Sequence, residues 1–119
     1  MIDPIDIARL LAAHHLRFTY EEELQDGIAQ VLSNARIPFA REVVLGPRDR
    51  LDFLVDGGTC IEVKIAGAVP ALMRQLGRYS EDERVRAIVV VTNVPRHREL
   101  PERIGGKPVF VCWLLPGLL

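Results

Sequence analysis

The stretch Arg50–Ile65, RLDFLVDGGTCIEVKI, constrains the fold more than any other. Apolar residues alternate with others on both sides of Asp-Gly-Gly at 56–58, so it reads as two short strands joined by a tight turn. Glycine reaches positive φ without steric cost, which suits the turn. Asp52, Glu62 and Lys64 are charges that a half-buried sheet tolerates poorly. Register decides whether they meet. A two-residue loop puts Asp52 and Glu62 on opposite faces. A three-residue loop, Asp56-Gly57-Gly58, sets Asp52 opposite Glu62 with Lys64 on the same face, and is preferred. It also gathers Leu51, Phe53, Val55, Ile61, Val63 and Ile65 on one apolar face. Two neighbouring carboxylates raise each other's pKa unless a cation intervenes. A hard divalent cation resolves the conflict, and Mg²⁺ needs only one or two protein carboxylates. Lys64, which cannot ligate a metal while charged, would orient a metal-bound water or stabilise developing negative charge.

With 119 residues the chain is expected to be one domain, and 49% hydrophobic residues give it a core without disulfides. No apolar run approaches the roughly 18 residues of a membrane span. The first residues, MIDPIDIARLL, carry acids early and lack a signal-peptide layout, so a cytoplasmic location is expected. Cys60 and Cys112 fall within predicted strands and read as buried free thiols, with no metal–thiolate spacing. A net charge of −1 means that nucleic acid would have to be held by a local basic patch.

In chain order, Asp3-Pro4 caps a short helix ending near His14-His15, and residues 1–18 read as an N-terminal helical extension. Thr19 followed by Glu22 reads as a capping box for a second helix with the stripe Leu24, Ile28, Val31, Leu32. Glu21 shares that stripe, whereas Glu22 and Glu23 turn to solvent. Phe39–Leu45 reads as the first strand. Arg41, Arg48 and Arg50 surround the turn that follows it and are candidate phosphate contacts; Arg78 is a fourth. Pro70 opens a helix, PALMRQLGRYSEDER, expected to run to about residue 84, with the stripe Leu72, Gln75, Leu76, Tyr79, in which Gln75 must find a polar partner. Arg86–Asn93, RAIVVVTN, reads as a central strand buried on both faces and parallel to the hairpin's second strand. Residues 94–106 read as a connection with a helical turn at 101–104, and Arg96, His97, Arg98 and Arg103 form a second candidate patch for a polyanion. A last strand is expected over 107–115. The apolar tail WLLPGLL is expected to pack on the core or make a dimer contact.

Asp52, nine further residues and then Glu62-Val63-Lys64 resemble the core motif of the PD-(D/E)XK nuclease superfamily. Glu21-Glu22-Glu23-Leu24-Gln25 looks like that family's first helix, and Gln75-Leu76-Gly77-Arg78-Tyr79 resembles the QxxxY element of its RecB-like branch, alongside the Holliday-junction-resolvase-like enzymes. The resemblance covers about residues 19–92; Leu51 stands where many members have proline. It implies an α/β, restriction-endonuclease-like αβββαβ core, a mixed central sheet flanked by helices, over about 19–115. It also implies a metal-dependent nuclease hydrolysing DNA phosphodiesters, with RNA left open. Asp52, Glu62, the Val63 carbonyl and Glu21 would then hold Mg²⁺ or Mn²⁺. Lys64 would position or activate the water, and Gln75 and Tyr79 would orient the site or touch the substrate backbone. A chain this small is expected to dimerise or join a larger complex to grip a duplex. The competing expectations are a non-catalytic nucleic-acid-binding or protein-interaction module, and a scaffold with a coincidental surface ion pair.

Overall fold

The computed structural model describes residues 2–114. The chain runs α1 (Pro4–Ala12), α2 (Glu21–Asn34), β1 (Phe39–Val44), β2 (Arg50–Val55), β3 (Thr59–Lys64), α3 (Val69–Ser80) and β4 (Ala87–Thr92). A 3₁₀ helix (Pro95–Glu99), β5 (Arg103–Ile104) and β6 (Lys107–Trp113) follow. Among the described residues six strands form one mixed sheet in the order β1-β2-β3-β4-β6-β5. β1, β2 and β3 are an antiparallel meander, and β3, β4 and β6 run parallel. The parallel step from β3 to β4 needs a crossover, which α3 provides.

Helices cover both faces. Ile7, Leu11, Leu24, Ile28 and Leu32 of α1 and α2 pack with Phe53, Val55, Ile61, Val63, Val89 and Val91. Leu72, Leu76 and Tyr79 of α3 pack on the other side with Leu51, Cys60, Ile88, Val90 and Val109. Every residue of β4 is buried, as its uninterrupted β-branched run predicts. Both cysteines are buried free thiols; burial pushes Cys112 up to about 11, and burial, then Glu62 and Asp52, holds Cys60 well above its ordinary range. No helix among the described residues is long and apolar enough to cross a membrane.

The hairpin adopts the three-residue turn, with Val55 opposite Thr59 and Phe53 opposite Ile61. Gly57 and Gly58 take φ of 96° and 99°. A Cβ on Gly58 would stand 2.8 Å from the Arg84 carbonyl, so the position needs glycine twice over.

Four local expectations are corrected. Leu51 does not share a face with Phe53 and Val55; with its partner Val43 it joins the α3 side. Between them, Glu42 adopts φ 55°, and neither Glu42 nor Asp52 joins the β1–β2 ladder. A left-handed residue turns the strand over, so both strands exchange faces there and strict alternation fails. α2 begins at Glu21 with Tyr20 as N-cap and no side-chain cap; Glu23 Oε1, rather than Glu22, accepts from the Thr19 N–H at 3.1 Å. The helical turn after β4 lies at Pro95–Glu99 instead of 101–104, because Arg103–Ile104 pairs with β6. Finally, α3 stops at Ser80, and residues 81–84 form a turn in which Asp82 accepts from the Arg84 backbone and guanidinium, lowering the Asp82 pKa. β6 ends at Trp113; Leu114 of the apolar tail packs into the core, and the expected strand end at Leu115 and the rest of the tail fall at 115–119, outside the described residues.

Candidate active site

The site forms where β2 and β3 part. Ladder pairing stops at Phe53 and Ile61, and beyond it the Asp52 carboxylate serves β3 directly: Oδ2 accepts the Val63 N–H at 2.8 Å. Glu62 is 2% exposed. Its Oε2 lies 3.4 Å from Lys64 Nζ, and its Oε1 is buried with no hydrogen-bond partner. A buried carboxylate oxygen without a donor is costly, and natural cores rarely leave one.

Burial drives both carboxyl groups upward. Asp52 is pushed from 3.8 to about 6, chiefly by desolvation; the Val63 N–H opposes this, the charge of Glu21 adds to it, Lys64 opposes it, and Glu42 adds again. Glu62 is pushed from 4.5 to about 8 by burial and then by Asp52, against the pull of Lys64. The pair therefore titrates together near neutrality and holds protons that a cation would displace.

Glu21, half-buried at the start of α2, is near enough for its charge to raise both groups. It does not complete a cluster: among the described residues no three His, Cys, Asp or Glu side chains are gathered into a metal-binding group. The assembled donors are thus a carboxylate pair. That set fits a hard divalent ion which keeps most of its water, and the Glu62 Oε1 lone pairs are unused among the described residues.

Gln75 finds the partner it needs. Its Nε2 donates to the Tyr79 hydroxyl at 2.8 Å, and that hydroxyl donates to the Arg50 carbonyl at 3.0 Å. Burial, and then the negative charge of Glu62, raises the Tyr79 phenol, keeping it a donor. This relay ties α3 to β2 two residues before Asp52. Tyr79 is 1% exposed, so it acts on the site through β2 rather than on anything in solvent.

Three of the four candidate arginines are already engaged. Arg41 is half-buried, 3.0 Å from Asp26 and stacked 5.3 Å over Phe53. Arg50 pairs with Glu42 at 3.5 Å, and Arg78 Nε donates to both Asp49 oxygens at 3.0 Å. Arg48 is exposed and makes no ion pair among the described residues. His97 is not part of a solvated basic patch. It is fully buried, its Nδ1 2.8 Å from Thr92 Oγ1 and its Nε2 2.9 Å from the Gly67 carbonyl. Glu42 escaped the sequence reading, although a hairpin register for β1 and β2 would have set it opposite Asp52. A pocket of about 350 Å³ between Pro38, Leu54 and Arg84 opens around the 56–58 turn and shares no residue with the site.

Comparison with protein-family models, with curated proteins and with solved structures returns no match.

Proposed function

We propose that this chain is a metal-dependent nuclease of the PD-(D/E)XK type, hydrolysing DNA phosphodiesters. The observation that carries the reading is the carboxylate pair of half-buried Asp52 and buried Glu62, proton-hungry and with one oxygen unpartnered, beside the Lys64 ammonium. Support also comes from topology: α2, three antiparallel strands, α3 and a parallel β4 follow the αβββαβ order that the motif resemblance implies.

Asp52 and Glu62 would hold Mg²⁺ or Mn²⁺, with Glu21 acting from further out. When bound, the ion supplies Lewis-acid charge to the phosphoryl group and activates water as nucleophile. Lys64 is three-quarters buried and restrained by Glu62, so its ammonium orients the water and offsets the negative charge that grows on the phosphoryl oxygens. A phosphorus–oxygen bond forms to water as the one to the leaving strand breaks; water gives up a proton and the leaving oxygen takes one. Gln75 and Tyr79 hold β2 so that Asp52 stays against Val63.

The test is cleavage of linear, single-stranded and branched DNA with Mg²⁺, Mn²⁺ or EDTA, with Lys64→Ala and Asp52→Asn alongside. Cleavage that needs the ion and is lost in both variants is expected, with ion binding kept in Lys64→Ala and lost in Asp52→Asn. Absence of both cleavage and ion binding in the unmutated chain refutes the reading in favour of a non-catalytic module.

A further inference from the structure

β3, β4 and β6 are parallel, so all three end at one edge of the sheet. Lys64 pairs with Thr92, and Thr92 with Trp113. Paired residues of parallel neighbours share a face, so Lys64 and Trp113 project from the side that α3 covers, about 10 Å apart at their Cα atoms. Between them Thr92 is occupied by His97, which seats the 3₁₀ helix on the strand end and fastens it to Gly67. His97 is buried, and its neighbours Arg96 and Arg98 are both exposed. Neither forms an ion pair among the described residues, unlike Arg41, Arg50 and Arg78. Arg98 lies 4.5 Å over the Trp113 ring and donates only its Nε, to the Pro95 carbonyl at 3.3 Å. Its two terminal nitrogens keep their hydrogen-bonding capacity. Glu99 is the one acid on that turn.

We propose that Arg96, Arg98 and Trp113 form a binding ledge for the sugar–phosphate backbone of a polynucleotide, continuing the substrate strand away from Lys64. The inference rests on the nuclease reading for the identity of the strand. A guanidinium held over an indole ring and tethered through its Nε is restrained, loses less entropy on meeting phosphate, and offers paired donors that match it. The aromatic beneath supplies a surface for a base. Of the second candidate patch, Arg96 and Arg98 make up the proposed ledge, and the buried His97 is the peg that presents them. Arg103 is not part of it, because it pairs with Pro108 at the opposite end of β6 from Trp113.

Trp113 is the chain's one tryptophan, so intrinsic fluorescence reports on this ledge alone. A short oligonucleotide, single-stranded and as a duplex, is titrated in Mg²⁺ into Lys64→Ala protein with and without Arg96→Ala/Arg98→Ala. The expected result is a change in Trp113 emission with the ledge intact. The double variant should bind about tenfold more weakly, with the slope of log affinity against log salt reduced by about 1.5. In the background that retains Lys64, the double variant should raise KM and leave kcat unchanged. Arg96→Lys/Arg98→Lys should restore most of the salt slope, which a folding defect would not allow. Unchanged affinity, slope and KM in the alanine double variant overturn the ledge while leaving the nuclease reading intact. Salt-dependent, ledge-dependent binding without cleavage under any metal upholds the ledge and refutes the nuclease. An equal fluorescence response to polyglutamate overturns the polynucleotide assignment, and no binding of any nucleic acid overturns both.

Discussion

Glu62→Gln should make this protein more stable at alkaline pH. Glu62 titrates near 4.5 when unfolded and near 8 when folded. Below the lower value both states are protonated and the group is neutral to folding. Between the two values the unfolded chain has released a proton that the native chain still binds, so stability falls as pH rises, by up to about 1.4 kcal/mol per pH unit. Above the higher value the loss is complete. From about pH 5 to pH 7.5 the loss comes to roughly 3 kcal/mol, a large share of the 5–15 kcal/mol typical of a domain. Asp52, raised from 3.8 to about 6, adds a loss of the same sign that is complete by about pH 6. The assay is thermal unfolding in EDTA from pH 5 to 8. The unmutated chain should lose on the order of 10 °C across the range, whereas Glu62→Gln, which cannot ionise, should be nearly flat above pH 6. Parallel curves for the two proteins, or an unmutated chain whose stability rises from pH 6 to 8, would refute the reasoning.

Mg²⁺ should raise the melting temperature of the unmutated chain more at pH 8 than at pH 6, since at lower pH the ion competes with protons for the same oxygens; equal shifts count against the carboxylate pair as its seat. Tyr79→Phe removes a hydroxyl that both accepts from Gln75 and donates to the Arg50 carbonyl; a loss of about 1–2 kcal/mol is expected by urea unfolding. His97→Ala strips Thr92 Oγ1 of one of its two hydrogen bonds, leaves the Gly67 carbonyl without its imidazole partner and opens a cavity, so about 2–4 kcal/mol should be lost in the same assay. Glu42→Gly should stabilise by about 1 kcal/mol, because the left-handed conformation at φ 55° costs glycine little. A destabilised glycine variant would show that the Arg50 contact outweighs the strain.

The three-residue hairpin turn, the α3 crossover and the parallel, fully buried β4 are legible in the sequence because each follows from a period or a turn length. Three Asp-Gly-Gly residues admit few hairpins, and RAIVVVTN has no polar side to turn outward. The exchange of faces at Glu42 is not legible, since the Leu51-x-Phe53 alternation looks the same whether or not a facing residue turns left-handed. His97 was hidden for a different reason. It stands among arginines, where a local reading assumes solvent, and only the tertiary placement of Thr92 and Gly67 supplies the two partners that let an imidazole go under. The engagement of Arg41, Arg50 and Arg78 with acids 15, 8 and 29 positions away likewise exists only once the chain has folded. Glu21 is half-buried at the start of α2, near enough for its charge to reach Asp52 and Glu62. Its distance from the carboxylate pair is set by how far α2 leans along the sheet, which no helical stripe encodes.

The left-handed turn at Glu42 has a consequence beyond the site. β1 is the outermost strand of its side of the sheet, and such a strand offers a row of free amides and carbonyls to any passing chain. Here the row is broken at its midpoint, and the exposed charge of Glu42 sits at the break. A second copy could match only a residue or two before the geometry diverged. The strain that accompanies Asp52 therefore also guards against strand addition and fibre growth, and straightening β1 would expose the protein to self-association.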